Sequence, residues 1–256
     1  MQLDECQGSS VLERGLRILE SFSPERTYLT LAEITRKSAL PKPTAYRLTN
    51  QLVSLGVLER VGTGYRPGRR LFKISISTSS EWITRTLALP FLENLHEATG
   101  AAVHFGLRTG LSVLYVERVS RHQTDLVARG EPKVGMSRPL HCTATGKAML
   151  AFSPPRLFDD VVAAGLSRRT PGTIVHGPAL AQHLRSVART GVAFDREEFC
   201  PGLTSVASPV FDAAGAAIGA IEIVGPAGQF QPNRFAESVR VASVRVSREI
   251  NRSGGA

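Results

Sequence analysis

The chain has 256 residues, 42% of them hydrophobic and 21% charged, which is typical of a globular protein with one large domain or two smaller ones. A net charge of +9 and an isoelectric point near 10.1 favour an anionic partner, of which nucleic acid is the common one. No stretch approaches the ~20 apolar residues that span a bilayer, and acids stand at the N-terminus where a signal peptide has bases. We therefore expect a cytoplasmic protein with no membrane partner. The three cysteines form no CxxC pair, which argues against a disulfide framework and a zinc site, and we expect no metal and no cofactor.

Two capping motifs predict the first two helices. Ser10-Val11-Leu12-Glu13 begins a helix whose apolar residues recur at helical spacing up to Phe22. Thr30-Leu31-Ala32-Glu33 begins a short second helix, and Ser38-Ala39-Leu40 forms the turn that follows it. A short helix, a turn and a third helix are the elements of a helix-turn-helix.

The third predicted helix begins at Pro41, where a first helical residue tolerates the missing N–H, and it runs to about Leu55 before Gly56. Its spacing predicts a buried stripe of Ala45, Leu48, Leu52 and Leu55. The remaining positions have the residue types that reach base edges and phosphates, and they are Lys42, Pro43, Thr44, Tyr46, Arg47, Asn50 and Gln51.

Recognition helices present their N-terminal residues to the major groove. Contacts to bases, or close to them, are therefore assigned to Lys42, Thr44, Tyr46 and Arg47. Asn50 and Gln51 lie a turn further along. The alternative is that some of these residues are ordinary surface positions.

A hairpin of two short strands is predicted after the third helix. Residues 57–61 and 65–66 flank Gly62-Thr63-Gly64, which is a tight turn. Arg60 and Arg66 on this wing are expected to grip phosphate or the minor groove. From position 36 to position 73 the chain has nine basic side chains and one acidic side chain, a net charge of +8 against +9 for the whole chain. The positive charge is thus concentrated where neutralising DNA phosphates requires it.

The segments LAEI…LPKPTAYRLTNQLVSLGVLER…YRPG resemble the IclR family of bacterial transcriptional regulators, and the resemblance covers nearly the whole chain. It implies a winged helix-turn-helix DNA-binding domain at 1–75, a linker at 76–81, and a GAF-like effector-binding and oligomerisation domain at 82–256. The first domain departs from the family at two positions. The family usually has Gly where this chain has Ala39, and Ser where this chain has Pro43. Ala39 implies a turn residue that either is not left-handed or is strained. Pro43 removes a hydroxyl and an N–H that can contact phosphate.

The structure of residues 69–82 stays open at this point. The alternation of Leu71, Lys73 and Ser75 favours a strand, whereas the resemblance implies a connecting helix. After a Ser-rich boundary at 75–80, a helix at 89–99 opens the second domain. Strand pairs mixed with helices then favour an antiparallel α+β sheet domain. The predicted strands are 101–107, 111–119, 192–195, 203–211 and 216–224, with a further extended piece at 125–129.

A pocket for a small molecule is expected around the segment HCTATGKAML. Ala144, Thr145 and Gly146 are small and lie at the predicted start of a helix, so that free N–H groups can face a ligand carboxylate. Val127 can add an apolar wall. By the resemblance, the family's other pocket positions fall on Asp195, Leu203, Ser205, Glu222 and Val224. One cavity can collect them, because all lie on or next to predicted strands.

Glu222 departs from the family, which often has a small polar residue such as Ser at this position. A buried carboxylate needs a partner or a raised pKa, and it repels a dicarboxylate. Three interpretations remain open: the effector carries a hydroxyl or an amine that satisfies Glu222, an internal Arg does so, or Glu222 faces solvent or an interface. His104 on the strand 101–107 is interpreted as a core or pocket-lining histidine rather than a metal ligand.

These observations predict a DNA-binding transcriptional regulator, whether repressor or activator, and not an enzyme. We expect a homodimer, or a dimer of dimers, on a pseudo-palindromic double-stranded operator, with a carboxylate or aromatic catabolic metabolite as effector. The competing interpretations are a constitutive regulator with a vestigial pocket, and a small-molecule sensor or enzyme with an incidental basic N-terminal domain. Catalytic motifs are weak, because TATGKA fails as a phosphate-binding loop and Cys200 has no base at a supporting spacing from it.

Overall fold

The computed structural model describes residues 10–23, 26–77, 79–120 and 130–253, and it leaves out the side chains of 72, 75–77 and 79–83. The chain divides into two compact units, Met1–Ser79 and Ser80–Ala256. Within the described ranges, no helix is long and apolar enough to cross a membrane.

The first unit is built from helices packed on a small antiparallel sheet. Its helices are α1 (Val11–Leu19), α2 (Leu31–Ser38), α3 (Lys42–Ser54) and α4 (Arg69–Ser77). Its strands are β1 (Leu29–Thr30), β2 (Leu58–Val61) and β3 (Gly64–Pro67), in the order β1-β3-β2. The core contains Ile18, Leu29, Ile34, Ala45, Leu48, Leu58 and Tyr65. The predicted two-stranded wing is therefore one edge of a three-stranded sheet, because Leu29–Thr30 adds a strand too short to leave a periodic signal.

Capping fixes the start of α2 and the turn before α3. The Thr30 hydroxyl accepts the N–H of Glu33, and the Glu33 carboxylate accepts the N–H of Thr30 at 2.9 Å, which is a complete capping box. Ala39 has φ 52°, so the strained alternative for this turn residue is the correct one. Pro41 is the N-cap of α3 and not its first residue, which is Lys42.

The prediction that Leu55 belongs to the buried stripe of α3 is wrong. Leu55 is 53% exposed because α3 ends at Ser54 and the chain turns away from the buried stripe. On α1, Leu12 and Leu16 are 86% and 55% exposed, while Ile18 is fully buried.

Residues 69–77 and 79–99 are helical, so the strand alternative for 69–82 is wrong and the connecting helix is correct. The helix α5 (Ser79–Thr99) begins ten residues before the predicted start at 89, and it contains Pro90. A proline costs an interior hydrogen bond, but Ala88, Leu92 and Leu95 pack into the core on both sides of it. Tertiary packing therefore outweighs the local break.

The second unit is an α+β domain with a six-stranded antiparallel sheet in the order β6-β5-β4-β9-β8-β7, which confirms the predicted fold class. Its strands are β4 (Ala102–Thr109), β5 (Ser112–Val119), β6 (Ser137–Pro139), β7 (Ala193–Arg196), β8 (Leu203–Phe211) and β9 (Ala217–Pro226). Its later helices are α6 (Ala144–Leu150), α7 (Pro155–Ala163), α8 (Gly177–Thr190) and α9 (Ala236–Ser253). The predicted extended piece at 125–129 lies outside the described residues.

Each face of this sheet has its own core. Residues of α5 and α9 pack with Val103, Phe105, Ile221 and Ile223 on one face. Residues of α6, α7 and α8 pack on the other face with Tyr115 and Ala220. Because side chains alternate along a strand, His104 and Glu222 point toward the second face. His104 is register partner to both Arg118 on β5 and Glu222 on β9, so these three residues form a row across the sheet.

Candidate functional site

The outer side of α3 presents the residues that the sequence assigned to DNA. The exposed members of this set are Lys42, Pro43, Tyr46, Arg47 and Gln51. Thr44 and Asn50 are half-buried. Among the described residues, Lys42 and Arg47 form no ion pair. Both cations therefore have no internal partner to give up when they meet a phosphate or a base edge.

The wing carries one paired and one unpaired arginine. Arg66 donates from Nε and Nη2 to Oε2 of Glu59, at 2.9 and 2.7 Å. This pairing, together with the N–H of Arg69, holds the pKa of Glu59 below its usual value. Glu59 is the one acid in the basic run, and Arg66 has to leave it before it can contact DNA. The register of the hairpin makes Glu59 and Arg66 cross-strand partners, so this ion pair could have been predicted from the position of the turn. Arg60 is exposed and forms no ion pair with a described residue.

A small cavity lies in the second unit, between the sheet and the start of α6. The space open to the centre of a water molecule is ≈ 10 Å³, enough for about one water. The residues that line it are Tyr115, Pro132, Arg138, Thr143, Asp195, Cys200, Leu203, Thr204, Ser205, Glu222 and Val224. A larger ligand therefore requires these walls to separate.

Five of the predicted pocket positions meet in this cavity, and they are Asp195, Leu203, Ser205, Glu222 and Val224. Ala144, Thr145 and Gly146 are fully buried on α6 but do not line it, and Thr143 stands in their place. Val127 lies outside the described residues.

The prediction of a free N–H group is wrong for Gly146. Its N–H donates to the Thr143 hydroxyl at 3.1 Å, which caps the helix from inside. A Cβ at this position would lie 2.4 Å from the carbonyl oxygen of Leu140, so the glycine is required by close packing. Thr145 is also fully buried, and its hydroxyl forms no hydrogen bond with a described residue.

Glu222 is buried, which rules out the interpretation that it faces solvent. Its Oε1 accepts a hydrogen bond from the Ser205 hydroxyl at 2.6 Å, so the internal partner is a serine and not the arginine considered above. Its Oε2 lies 3.9 Å from Nδ1 of His104, beyond hydrogen-bond distance, and accepts no hydrogen bond from a described residue.

Asp195 is the second acid of the cavity. Burial raises its pKa to about 7, although the nearby Lys147 ammonium and the N–H of Glu198, 2.7 Å from Oδ1, act in the opposite direction. Lys147 is fully buried and forms an ion pair with Glu198. Asp195 is therefore partly protonated near neutral pH.

Arg138 and Tyr115 are lining residues that the sequence did not reveal. The Arg138 guanidinium lies 4.2 Å from the ring centre of Phe199 and 5.9 Å from that of Tyr115, and it donates to the Gly130 carbonyl. Burial raises the pKa of Tyr115 well above its usual value, which keeps its phenol protonated as a donor. Arg138 lies on a three-residue strand, which is too short for a periodic pattern to mark it.

A buried polar chain extends from Glu222 away from the cavity. Nε2 of His104 lies 3.0 Å from Oε1 of Glu131, and Arg118 binds both oxygens of Glu131 at 3.0 Å. The interpretation of His104 as a core histidine fits this position. In the described part of the chain, no group of three or more His, Cys, Asp or Glu side chains is arranged to hold a metal ion.

Comparison with known proteins identifies both units. The model of the IclR helix-turn-helix domain matches residues 11–62, and the model of the bacterial transcriptional regulator IclR C-terminal domain matches residues 77–248. The chain belongs to the IclR family. As an IclR-type protein it is a DNA-binding transcriptional regulator that responds to a small-molecule effector.

Individual relatives agree with this assignment. The chain is 30% identical over 238 residues to the HTH-type transcriptional repressor AllR of Klebsiella pneumoniae, covering 90% of this chain and 84% of that protein. Its fold matches an IclR homolog from Microbacterium hydrocarbonoxydans, solved in complex with 4-hydroxybenzoate, with a TM-score of 0.85 and 29% identity over 95% of this chain and 100% of that one. It also matches Thermotoga maritima IclR, with a TM-score of 0.73 and 25% identity over 94% and 98% of the two chains.

Proposed function

We propose that this IclR-family chain represses transcription by binding a two-fold operator through α3 and the wing, and that a metabolite in the cavity of the second unit modulates the binding. The proposed contacts to DNA are Lys42, Pro43, Thr44, Tyr46, Arg47, Asn50, Gln51 and Arg60, with Arg66 available once it leaves Glu59. The observation that carries the proposal is the set of exposed cations on α3 that have no internal partner among the described residues. Affinity for DNA depends on such cations through counterion release.

A gel-shift titration on the DNA upstream of the chain's own gene tests this proposal. We expect saturable binding that weakens steeply between 50 and 200 mM salt. A protein that makes six to ten phosphate contacts loses affinity by a factor of about 10³–10⁵ over this range. A double variant Lys42→Ala and Arg47→Ala should abolish the shift. Arg185→Ala with Arg189→Ala removes the same charge from the exposed side of α8 and serves as the control. Binding that the first pair leaves intact would refute the assignment of the surface.

The effector is proposed to be a small carboxylate or aromatic compound. This rests on the cavity, where Arg138 supplies a buried cation, and on the Microbacterium relative that was solved with 4-hydroxybenzoate. The alternative of a vestigial pocket is tested by calorimetry, since it predicts no saturable binding of any such compound.

The cysteines support a regulator rather than a thiol enzyme. Burial raises the pKa of Cys142 to about 12, and it also raises the pKa of Cys200. Neither residue is therefore a reactive thiolate at neutral pH. We propose that the chain has no catalytic activity.

Oligomerisation is proposed from the way helix-turn-helix proteins read DNA. Two recognition helices on a two-fold operator require at least a homodimer, and we propose a dimer or a dimer of dimers. Light scattering after size exclusion, with and without operator DNA, distinguishes these states from a monomer.

A further inference from the structure

Glu222 leaves one buried acceptor atom without a donor. Its side chain is 4% exposed, it lines the cavity, and Ser205 satisfies only Oε1. Oε2 accepts nothing from the described residues, and the nearest imidazole nitrogen is 3.9 Å away. A buried carboxylate oxygen in this condition is costly, so any ligand that brings a donor to it is bound more tightly.

Among the described residues, none donates to Oε2. Nδ1 of His104 lies 3.9 Å from it, and the other nitrogen of this imidazole lies 3.0 Å from Glu131. To reach Glu222, the imidazole must move away from Glu131. Ser205 has a single hydroxyl proton, which it already donates to Oε1.

The rest of the lining determines what else the ligand carries. Arg138 is buried in the cavity wall, and stacking on Phe199 fixes its guanidinium as a partner for a carboxylate or carbonyl oxygen. Asp195 and Glu222 place two acids against this one cation. A dicarboxylate would set its second negative charge against these acids, and a simple keto acid would leave Oε2 unsatisfied.

We infer that Glu222 selects an effector with an acceptor end for Arg138 and an N–H or O–H donor for Oε2, such as a hydroxy or amino acid or a phenolic acid. This inference rests on the proposed effector function of the cavity. It makes Glu222 a specificity-determining residue that acts by direct contact with the ligand.

Two sets of matched compounds isolate the donor in a calorimetric titration. The first is propionate, lactate and alanine, and the second is benzoate, 4-hydroxybenzoate and 4-aminobenzoate. Within each set the carbon skeleton is constant and the added group is a hydroxyl or an amine, which in alanine is a charged ammonium. Pyruvate and succinate are added as the keto acid and the dicarboxylate. In at least one set, a donor-bearing compound should bind about tenfold or more tightly than its parent acid, as expected for an unsatisfied buried group.

Variants then assign the preference to Glu222. In Glu222→Ala, the affinity for the donor-bearing compound should fall to within about threefold of the affinity for its parent acid. Glu222→Gln retains an acceptor oxygen and the shape of the side chain, so the ratio of the two affinities should be intermediate. Glu249→Gln removes a half-buried carboxylate on α9, outside the cavity, and should leave the ratio unchanged. If Glu222→Ala does not fold, the Gln variant carries the comparison.

Several results would overturn the inference. They are tightest binding by a parent acid, pyruvate or succinate, a donor preference that persists in Glu222→Ala, or no binding by any of the eight compounds. The gel shift on the same preparation separates this failure from that of the proposed function. If the chain binds the operator but shows no preference for donor-bearing compounds, the proposed regulator function stands and the proposed role of Glu222 is refuted.

Discussion

Nε2 of His104 lies 3.0 Å from Oε1 of Glu131, and both side chains are fully buried. Burial alone would raise the pKa of Glu131, but the adjacent His104 imidazole and the two hydrogen bonds from Arg118 outweigh this effect, and the pKa lies below the usual value. His104 also lies beside Glu222 on the neighbouring strand. The His104 imidazole therefore lies between two buried carboxylates, Glu222 in the cavity and Glu131, which Arg118 on β5 binds.

Removal of His104 should destabilise the second unit. His104→Ala leaves Glu131 with Arg118 alone, and we expect a loss of roughly 2–4 kcal/mol in the free energy of unfolding at pH 7. The contribution of Glu131 is complete above its ordinary pKa of 4.5 and is lost as the pH falls through the lower folded value. Urea titrations measure the change, with His176→Ala at an exposed position as control. Equal stability of the two variants would show that the buried contact contributes nothing.

Asp195 should make the protein less stable as the pH rises. Its pKa is about 7 in the folded chain against 3.8 ordinarily, so the folded state holds a proton that the unfolded state has lost between these values. Stability therefore falls with pH across this window. Asp195→Asn keeps the acceptor for the N–H of Glu198 and should gain on the order of 2–4 kcal/mol at pH 8 relative to pH 4. Denaturant titrations from pH 4 to 8 measure it, with the exposed Asp159→Asn as control, and parallel curves for wild type and Asp195→Asn would contradict it.

Glu59→Gln should strengthen DNA binding. The change releases Arg66 from its two hydrogen bonds and removes the one acid of the basic run. We expect tighter operator binding and a salt dependence steeper by about one unit of slope, the value for one added phosphate contact. Glu237→Gln removes a similar exposed carboxylate, paired with Arg240, from the second unit and is the matched control. Unchanged affinity and slope would mean that Arg66 does not reach DNA even when free.

Arg47→Ala should weaken operator binding by about 1–3 kcal/mol and relax the base preference at one position, as expected for an arginine that contacts a base edge. Gel shifts on operator variants and on random DNA of the same length measure both effects. An equal loss on both DNAs would assign Arg47 to phosphate only.

The sequence was sufficient to predict the elements whose signals are local. The capping box at Thr30, the glycine turn of the wing and the extended runs of β8 and β9 are each encoded within a few residues, and each is found in the structure. The resemblance to the IclR family, rather than a local pattern, implied that Asp195, Ser205 and Glu222 share a pocket, and these residues line one cavity in the structure. Arg138, Tyr115 and the pairing of Glu222 with Ser205 depend on which strands lie side by side, and no local pattern encodes that order. The start of α5 was missed for a related reason, since packing around Pro90 overrides a local break.

An ion pair joins Arg85 on α5, the helix that begins where the two units divide, to Glu117 on β5. Arg85 lies 2.7 Å from Glu117, whose other oxygen accepts the N–H of Arg118, and the Arg118 guanidinium holds Glu131 beside His104. If an effector at Glu222 biases this chain of contacts, Arg85→Met and Glu117→Gln should each reduce, by about fivefold, the factor by which the effector changes operator affinity. The double variant should do no more than either single variant, because both remove the same contact. Gel shifts with and without the tightest-binding compound measure the factor, and affinity without the compound should stay within about twofold. Additive losses, or an unchanged factor, would show that the coupling does not pass through this pair.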